Sequence, residues 1–349
     1  MIAALKQSSF SVSKQLGLTG LVAHSEWRRR RLLILCYHGI ALEDEHRWDP
    51  QLYVPAAHLD RRLALLKRND CTILPLNEAI QRLYRGDLPK RAVALTFDDG
   101  YYDFMARAWP LLQAYDAPAT VYLTTARVEH NSPIVNLAIS YILWRARNRV
   151  LDGRGLIGLS GDYPLALPEQ RQRVLREMDA QFQARLVSAG EKDASVATLA
   201  ARVGIDYQEL ADRRLLTLMR AEEVQQMARQ GVDFQLHTHL HRTPKDPQLF
   251  VTDVLHNRDL IEAMTGVRPD HLCYPSGVYR SGYLPALQRA GVVSATTCDP
   301  GIADVSADRL LLPRFIDTCG VTEIEFEAWV TGLASCLPRR TRKAHPALN

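Results

Sequence analysis

Two periods alternate along most of the chain. Runs of consecutive apolar residues read as strands buried on both faces, and apolar positions three and four apart read as helices. Leu32-Leu33-Ile34-Leu35-Cys36 is such a run, and it stops at Tyr37-His38-Gly39. Leu59, Leu63, Leu65 and Leu66 then give a helix over 56–69. A short strand at 73–76 follows, then a helix over 77–84 with Asn77 as N-cap, a strand at 91–97, a helix over 104–115 and a strand at 119–123. This order predicts parallel strands joined by crossover helices.

From about 133 to 217 the alternation stops. Helical spacing recurs at 136–150, 168–188, 194–203 and 207–216, and no strand pattern stands out. Ordinary crossover helices are one reading; a helical subdomain inserted between two strands, over one edge of a cleft, is the one adopted. The first pattern then resumes, with a helix over 221–230, a strand at 232–236, a helix over 246–265 and a strand ending in Cys273-Tyr274-Pro275. A helix at 282–290, strands at 292–297 and 310–316 and a helix over 323–334 complete it. The expected divisions are an N-terminal extension 1–31, a first barrel half 32–132, the insertion 133–217, a second barrel half 218–335 and a disordered basic tail 336–349. Alternation with polar clusters at successive strand ends predicts an α/β fold, an irregular (β/α) barrel whose reactive groups gather at its C-terminal rim.

Composition narrows this only slightly. The 349 residues, 47% hydrophobic and 23% charged, suffice for one large α/β domain or two medium ones. A net charge of +4 without a basic stripe excludes a nucleic-acid partner from the expectation. Six cysteines, none in a CxxC pair, read as reduced and mostly buried thiols. Ser8, Ser9, Ser11, Ser13 and Lys14 interrupt any apolar leader, and no window approaches the roughly 20 apolar residues of a membrane span. Arg28 to Arg31 can meet an anionic lipid surface, but a solvated basic run before the first strand is the preferred reading. The expected location is the cytoplasm, peripheral at the inner membrane face at most.

The chemistry sits in two clusters. Asp98-Asp99-Gly100 ends the strand that begins at Arg91. Asp-Gly is also a common turn dipeptide, so the pair alone decides nothing. Two carboxylates ending an apolar strand are nevertheless costly to bury unless paired or bound to a metal. The second cluster, His237-Thr238-His239-Leu240-His241, also ends an apolar run. Two imidazoles with one carboxylate are the donor set of catalytic zinc-type sites, which keep a position open for water.

Thr96-Phe97-Asp98-Asp99-Gly100, His237-Thr238-x-x-His241 and Cys273-Tyr274-Pro275-Ser276-Gly277-Val278-Tyr279, with Leu312-Pro313-Arg314 after them, resemble in order the motifs of the polysaccharide deacetylase family. This family carries the NodB-homology domain and is carbohydrate esterase family four. The resemblance covers about 32–316 outside the insertion and implies about seven strands. It implies Asp99, His237 and His241 as ligands of a divalent metal, zinc first and cobalt, nickel or manganese as alternatives. It implies Asp98 as the base, and backbone near Tyr274, Pro275 and Gly277 as oxyanion or substrate contacts. The implied reaction removes N-acetyl groups from an N-acetylated oligo- or polysaccharide, or a lipid-linked sugar, in cell-surface or exopolysaccharide biosynthesis.

This chain departs from the family twice. No histidine lies between Cys273 and Arg340, where typical members carry a Leu-x-His acid. His38 is the candidate acid in its place, with a hydrogen-bonded rim histidine as its plain reading and His239 as runner-up. Cys273 stands where the family's third motif often has an arginine that steadies the base. Arg314 is the candidate replacement, with Asp317 in the same network. Two other functions remain open: hydrolysis of a non-sugar amide, and a carbohydrate-binding protein that kept the fold without effective catalysis.

Overall fold

The structure is a computed structural model and describes residues 10, 12–13, 17–129 and 132–336. The basic tail from 337 onward and Ser8, Ser9, Ser11 and Lys14 of the N-terminal stretch lie outside the described residues. The chain divides into two units, Met1–Val128 with Ala221–Asn349, and Glu129–Arg220.

The first unit is a closed barrel. Its strands are β1 (Leu33–Tyr37), β5 (Ala92–Asp99), β6 (Thr120–Leu123), β9 (Asp233–Leu236), β10 (His271–Cys273), β11 (Ser294–Pro300) and β12 (Leu312–Ile316). Each hydrogen-bonds the next, and β1 pairs with both β5 and β12, so the ring of seven closes. All seven run parallel. Closure removes exposed strand edges. A two-residue strand β4 (Thr72–Ile73) adds a rung to β5 outside the ring. Short β2 (Gly39–Ala41) and β3 (Tyr53–Pro55) pair with each other after β1. All residues of β1 and β5 are buried, as continuous apolar runs in a parallel sheet require.

The helices between strands are those the spacing predicts, with edges moved by a few residues. Helix Leu76–Arg85 starts one residue earlier than expected and carries Pro75, not Asn77, at its cap. The helix after β5 opens with a π-helical turn, Phe104–Ala108, and becomes α-helical at Trp109. Helix Pro247–Thr265 is capped by Asp246, whose side chain accepts from the Gln248 amide at 2.8 Å. The last helix stops at Thr331 and a second short one follows, Leu333–Cys336.

Two expectations need correction. The segment 133–217 does contain strands, β7 (Val150–Asp152) and β8 (Asp162–Pro164), paired as an antiparallel hairpin. Each is three residues long with only the central residue buried, too short to register as a period of two. The rest of that unit is helical, at Val135–Arg145, Pro168–Ala184, Ala189–Arg202 and Tyr207–Asp212. Its flanks meet, since the Ala221 amide donates to the Val128 carbonyl at 3.1 Å.

The run Arg28 to Arg31 is also not simply solvated. Arg28 is fully buried and donates to the carbonyls of Val330 at 2.9 Å, Arg31 at 2.8 Å and Ala92 at 3.4 Å. It joins the N-terminal segment to the start of β5 and to the last long helix. Arg31 pairs with Asp304 at 2.9 Å. No described helix is long and apolar enough to cross a membrane. Replacing Arg28 with Met removes its donors and leaves buried carbonyls unpaired. Urea unfolding of Arg28→Met should show a loss of about 2–4 kcal/mol, as for other broken buried polar networks.

Candidate functional site

Parity along the strands builds the site. In a strand, neighbouring side chains point to opposite faces. On β5, Ala94, Thr96 and Asp98 share one face, and on β12, Leu312 and Arg314 do. Asp98 touches Arg314 and Cys273, yet β5 and β10 are not neighbours in the ring, so these contacts cross the barrel interior.

Arg314, on β12, is fully buried and uses every donor. Its Nη1 and Nη2 each donate to one oxygen of Asp98 at 2.7 Å. Nη1 also reaches Thr96 Oγ1 at 3.2 Å, Nη2 reaches Cys273 Sγ at 3.0 Å, and Nε donates to the Thr297 carbonyl at 3.0 Å. Arg314, the expected stand-in for a third-motif arginine, is thus placed against Asp98. Burial alone would raise the Asp98 carboxyl, but the guanidinium more than offsets it and holds the group well below the usual carboxylate range. The thiols of Cys36 and Cys273 lie 3.6 and 3.4 Å from Asp98 Oδ2.

Asp99 has the opposite parity and reaches the rim by a backbone turn. Its φ is 71°, and Gly100 follows at φ 86°. A side chain on Gly100 would also strike Leu123 Cδ1 at 2.4 Å. Asp99 Oδ1 lies 3.1 Å from His237 Nε2 and 3.2 Å from His241 Nε2. Burial would raise this carboxyl too, but both imidazoles more than offset it, and it sits well below its ordinary range. The histidines come from the loop after β9, where Thr238 and His241 also take left-handed backbone, at φ 64° and 52°. With Asp99, three non-glycine residues on these two segments sit in this sparsely populated region, held against their local preference.

The tautomer of His237 is fixed by its neighbours. Its Nδ1 lies 2.8 Å from the Cys273 carbonyl, which can only accept, so the proton sits on Nδ1. Nε2 then faces a carboxylate oxygen, an approach that either a second ring proton or a cation between the two atoms makes favourable. The donor separations of 3.1 and 3.2 Å approach the ~3.4 Å edge of a tetrahedron built on ~2.1 Å bonds. Asp99, His237 and His241 therefore fit a divalent cation. The chemistry of the set, one carboxylate and two imidazoles, suits zinc or a similar ion.

Other expected residues divide. His38, just past β1, reaches the same rim, with Nε2 3.8 Å from Asp98 Oδ2 and its side chain 20% exposed. It lines an open groove of about 530 Å³ with Asp49, Gln51, Leu52, Ile316, Thr318 and Val321. His239 turns elsewhere: its Nδ1 meets Thr125 Oγ1 at 3.0 Å and its ring lies 4.2 Å from that of His256.

The backbone proposed for the oxyanion does not offer a free donor at the named residues. The Tyr274 amide donates to the Thr296 carbonyl at 3.2 Å, Pro275 has none, and the Gly277 amide donates to the Tyr274 carbonyl at 2.9 Å. Tyr274 extends the β10–β11 ladder, and its hydroxyl is also engaged, by the Leu310 carbonyl at 3.1 Å. Gly277 is needed for space, since a Cβ there would meet Cys298 Cβ at 2.5 Å. Asp317 does not join Arg314. It accepts from Arg62 at 2.9 and 3.2 Å, lies 3.0 Å from His58 Nε2, and accepts from the Tyr37 hydroxyl at 3.0 Å. Three residues past Arg314, it falls on the other face.

Sequence reasoning missed Asn257. Fully buried on helix Pro247–Thr265, it accepts from the His237 amide at 3.0 Å and donates to the Leu123 carbonyl and Thr125 Oγ1, each at 3.0 Å. It ties the ends of β6 and β9 together behind the histidines. Its signal was available: Phe250, Val254, Asn257 and Ile261 form one helical stripe, with a single amide among apolar residues. The cysteines are free where described: Cys36, Cys71, Cys273, Cys298 and Cys319.

Isothermal titration with zinc or cobalt, backed by elemental analysis, should give one tight site per chain. Asp99→Asn and His241→Ala should each weaken it by at least about 10-fold, while His239→Ala should leave it unchanged. Equal loss in all three variants would show that the three donors do not form the site.

Comparisons with known proteins bear on the family and the fold. The Polysaccharide deacetylase family description matches residues 85–295, more than half of the chain. "Poly-beta-1,6-N-acetyl-D-glucosamine N-deacetylase" of Escherichia coli (strain K12) is 31% identical over 121 residues, which are 34% of this chain and 18% of that protein. The match thus spans under a fifth of that relative's length. Among solved structures, Streptococcus pyogenes deacetylase PplD in complex with acetate superposes with a TM-score of 0.54 at 20% identity, over 84% of this chain and 96% of that one. IcaB from Ammonifex degensii superposes with a TM-score of 0.54 at 16% identity, over 86% of this chain and 97% of that one. These two likenesses concern the fold. With the family description spanning β5 to the first residues of β11, the chain belongs to the polysaccharide deacetylase family.

Proposed function

We propose that the chain is a divalent-metal-dependent N-deacetylase of an N-acetylhexosamine glycan, acting in cell-surface or exopolysaccharide biosynthesis. The observation that supports it most is the convergence of Asp99, His237 and His241 on one point, beside an Asp98 held ionised by Arg314. The names of the relatives support β-1,6-linked poly-N-acetylglucosamine as the first substrate to test.

A cation held by Asp99, His237 and His241 supplies Lewis-acid polarisation of the acetyl carbonyl and lowers the pKa of a water. The protein's own residues do the rest. Asp98 accepts a proton from the attacking water as its oxygen bonds to the carbonyl carbon. Arg314 fixes both oxygens of Asp98 so that the carboxylate cannot rotate away. The C–N bond then breaks only if nitrogen gains a proton. His38, at the rim and facing Asp98, donates it, and acetate and a free amine leave. The open groove beside His38 gives the sugar chain room on that side.

Acetate release from N-acetylglucosamine oligomers should vanish on chelation and return with added zinc or cobalt. Asp98→Asn should lower kcat by about 10²–10⁴-fold while the metal stoichiometry stays at one. Retained turnover in Asp98→Asn, or turnover indifferent to chelator, would overturn the reading.

His38→Gln should lower kcat on the amide by about 10²-fold or more. On an aryl acetate, whose leaving group departs without a proton, it should lose little. Equal losses on both substrates would remove His38 from the acid role.

A further inference from the structure

The far end of the barrel carries a second cluster of chemistry. Arg91 immediately precedes β5, while Asp98 and Asp99 end it; at ~3.3 Å per residue the two ends are roughly 23 Å apart. Around Arg91 lies a cavity of about 100 Å³ lined by Ala23, His24, Arg29, Lys90 and Arg91. Four of those five side chains are basic and none is acidic.

Arg91 itself is built into the protein. It is 8% exposed, and its Nη1 donates to the Asn69 carbonyl. Its Nη2 lies 3.1 Å from His24 Nε2. His24 Nδ1 lies 2.7 Å from the Gly20 carbonyl, which can only accept, so Nδ1 carries the proton and Nε2 accepts from Arg91. Of the other N–H groups of Arg91, Nε–H is buried without a partner. A buried guanidinium donor without an acceptor is costly and rare. A guanidinium and a lysine ammonium lining one cavity are groups with which proteins take phosphate.

The surroundings add positive charge. Arg28 feels the charge of Arg91, and its pKa is lowered to about 10, by burial first and then by the charges of Arg91 and Arg31. Two carboxylates on neighbouring segments are already engaged: Glu26 pairs with Arg29 at 3.1 Å and with Arg30 at 3.9 Å, and Asp304 with Arg31. The Arg29–Glu26 pair is exposed on both sides, so it competes weakly with a buried anion.

We propose that the pocket formed by His24, Arg29, Lys90 and Arg91 binds a phosphate group, at the end of the barrel opposite the metal-binding rim. A soluble phosphate compound and the headgroup of an anionic phospholipid present the same chemistry. Inorganic phosphate and vesicles distinguish these two sources. The site does not depend on the deacetylase reading.

The test uses the full chain and an Arg29→Gln/Lys90→Gln double variant, both substitutions at side chains that hold no core contact in the argument above. Thermal unfolding is followed in sodium chloride and in inorganic phosphate at matched pH and ionic strength. The wild type should gain several degrees in phosphate, with saturation, and the double variant should gain none while matching the wild type in chloride. Flotation with phosphatidylcholine vesicles, with and without phosphatidic acid, reads the second source. Binding to the acidic vesicles alone, lost in the double variant, assigns the pocket to a headgroup; phosphate protection without vesicle binding assigns it to a soluble compound. Phosphate also stabilises proteins by exclusion from their surface. An equal gain in both proteins, or no gain with no vesicle binding, overturns the proposal.

Discussion

A carboxylate stands inside a seven-stranded barrel, and one guanidinium makes that possible. Isolated, a buried Asp98 would cost several kcal/mol and would be neutral. Arg314 answers it with two parallel hydrogen bonds and gives its remaining donors to Thr96, Cys273 and Thr297. That pairing couples β5 to β12 through the interior while β1 joins them along the wall. It also sets the parity of β5. With Asp98 committed inward, Asp99 must point away and is brought to the rim only by a left-handed turn. The position of Asp99 at the mouth thus follows from charge compensation in the centre.

The rim is preorganised by the same logic of commitments made elsewhere. His237 is held by its amide to Asn257 and by its ring to the Cys273 carbonyl. Both partners lie on elements far from it in sequence, and each has its own place in the core. The left-handed backbone at Asp99, Thr238 and His241 is tolerated because these anchors leave few alternatives. The imidazoles and the Asp99 carboxylate are thus held close together by protein contacts alone.

Much of this was legible in the residues. The strand-helix alternation gave the barrel because parallel strands buried on both faces leave continuous apolar runs. Asp98, Asp99, His237 and His241 stood out because polar clusters ended those runs. Arg314 was legible through the late Leu312-Pro313-Arg314 segment together with what Cys273 lacked. Asp317 was misplaced because a motif read as a string hides the alternation of faces, and three residues reverse the side. The Tyr274 amide was misjudged because the ladder between β10 and β11 extends one residue past the strand, which no local pattern announces. The β7–β8 hairpin escaped because three-residue strands carry one buried residue each. Arg28 escaped because a basic run looks the same whether its first member is solvated or holds three carbonyls.

The hydrogen bond between Val128 and Ala221 has a consequence of its own. It brings the two flanks of the 129–220 unit to a common doorway, so that segment leaves and rejoins the chain of the barrel as a closed loop. The entropy of closing a loop grows only with the logarithm of its length, about 0.6 kcal/mol per doubling. What is spliced in at this doorway can grow, shrink or be exchanged at little thermodynamic penalty to the strands on either side. The catalytic frame and its cassette are free to diverge at different speeds.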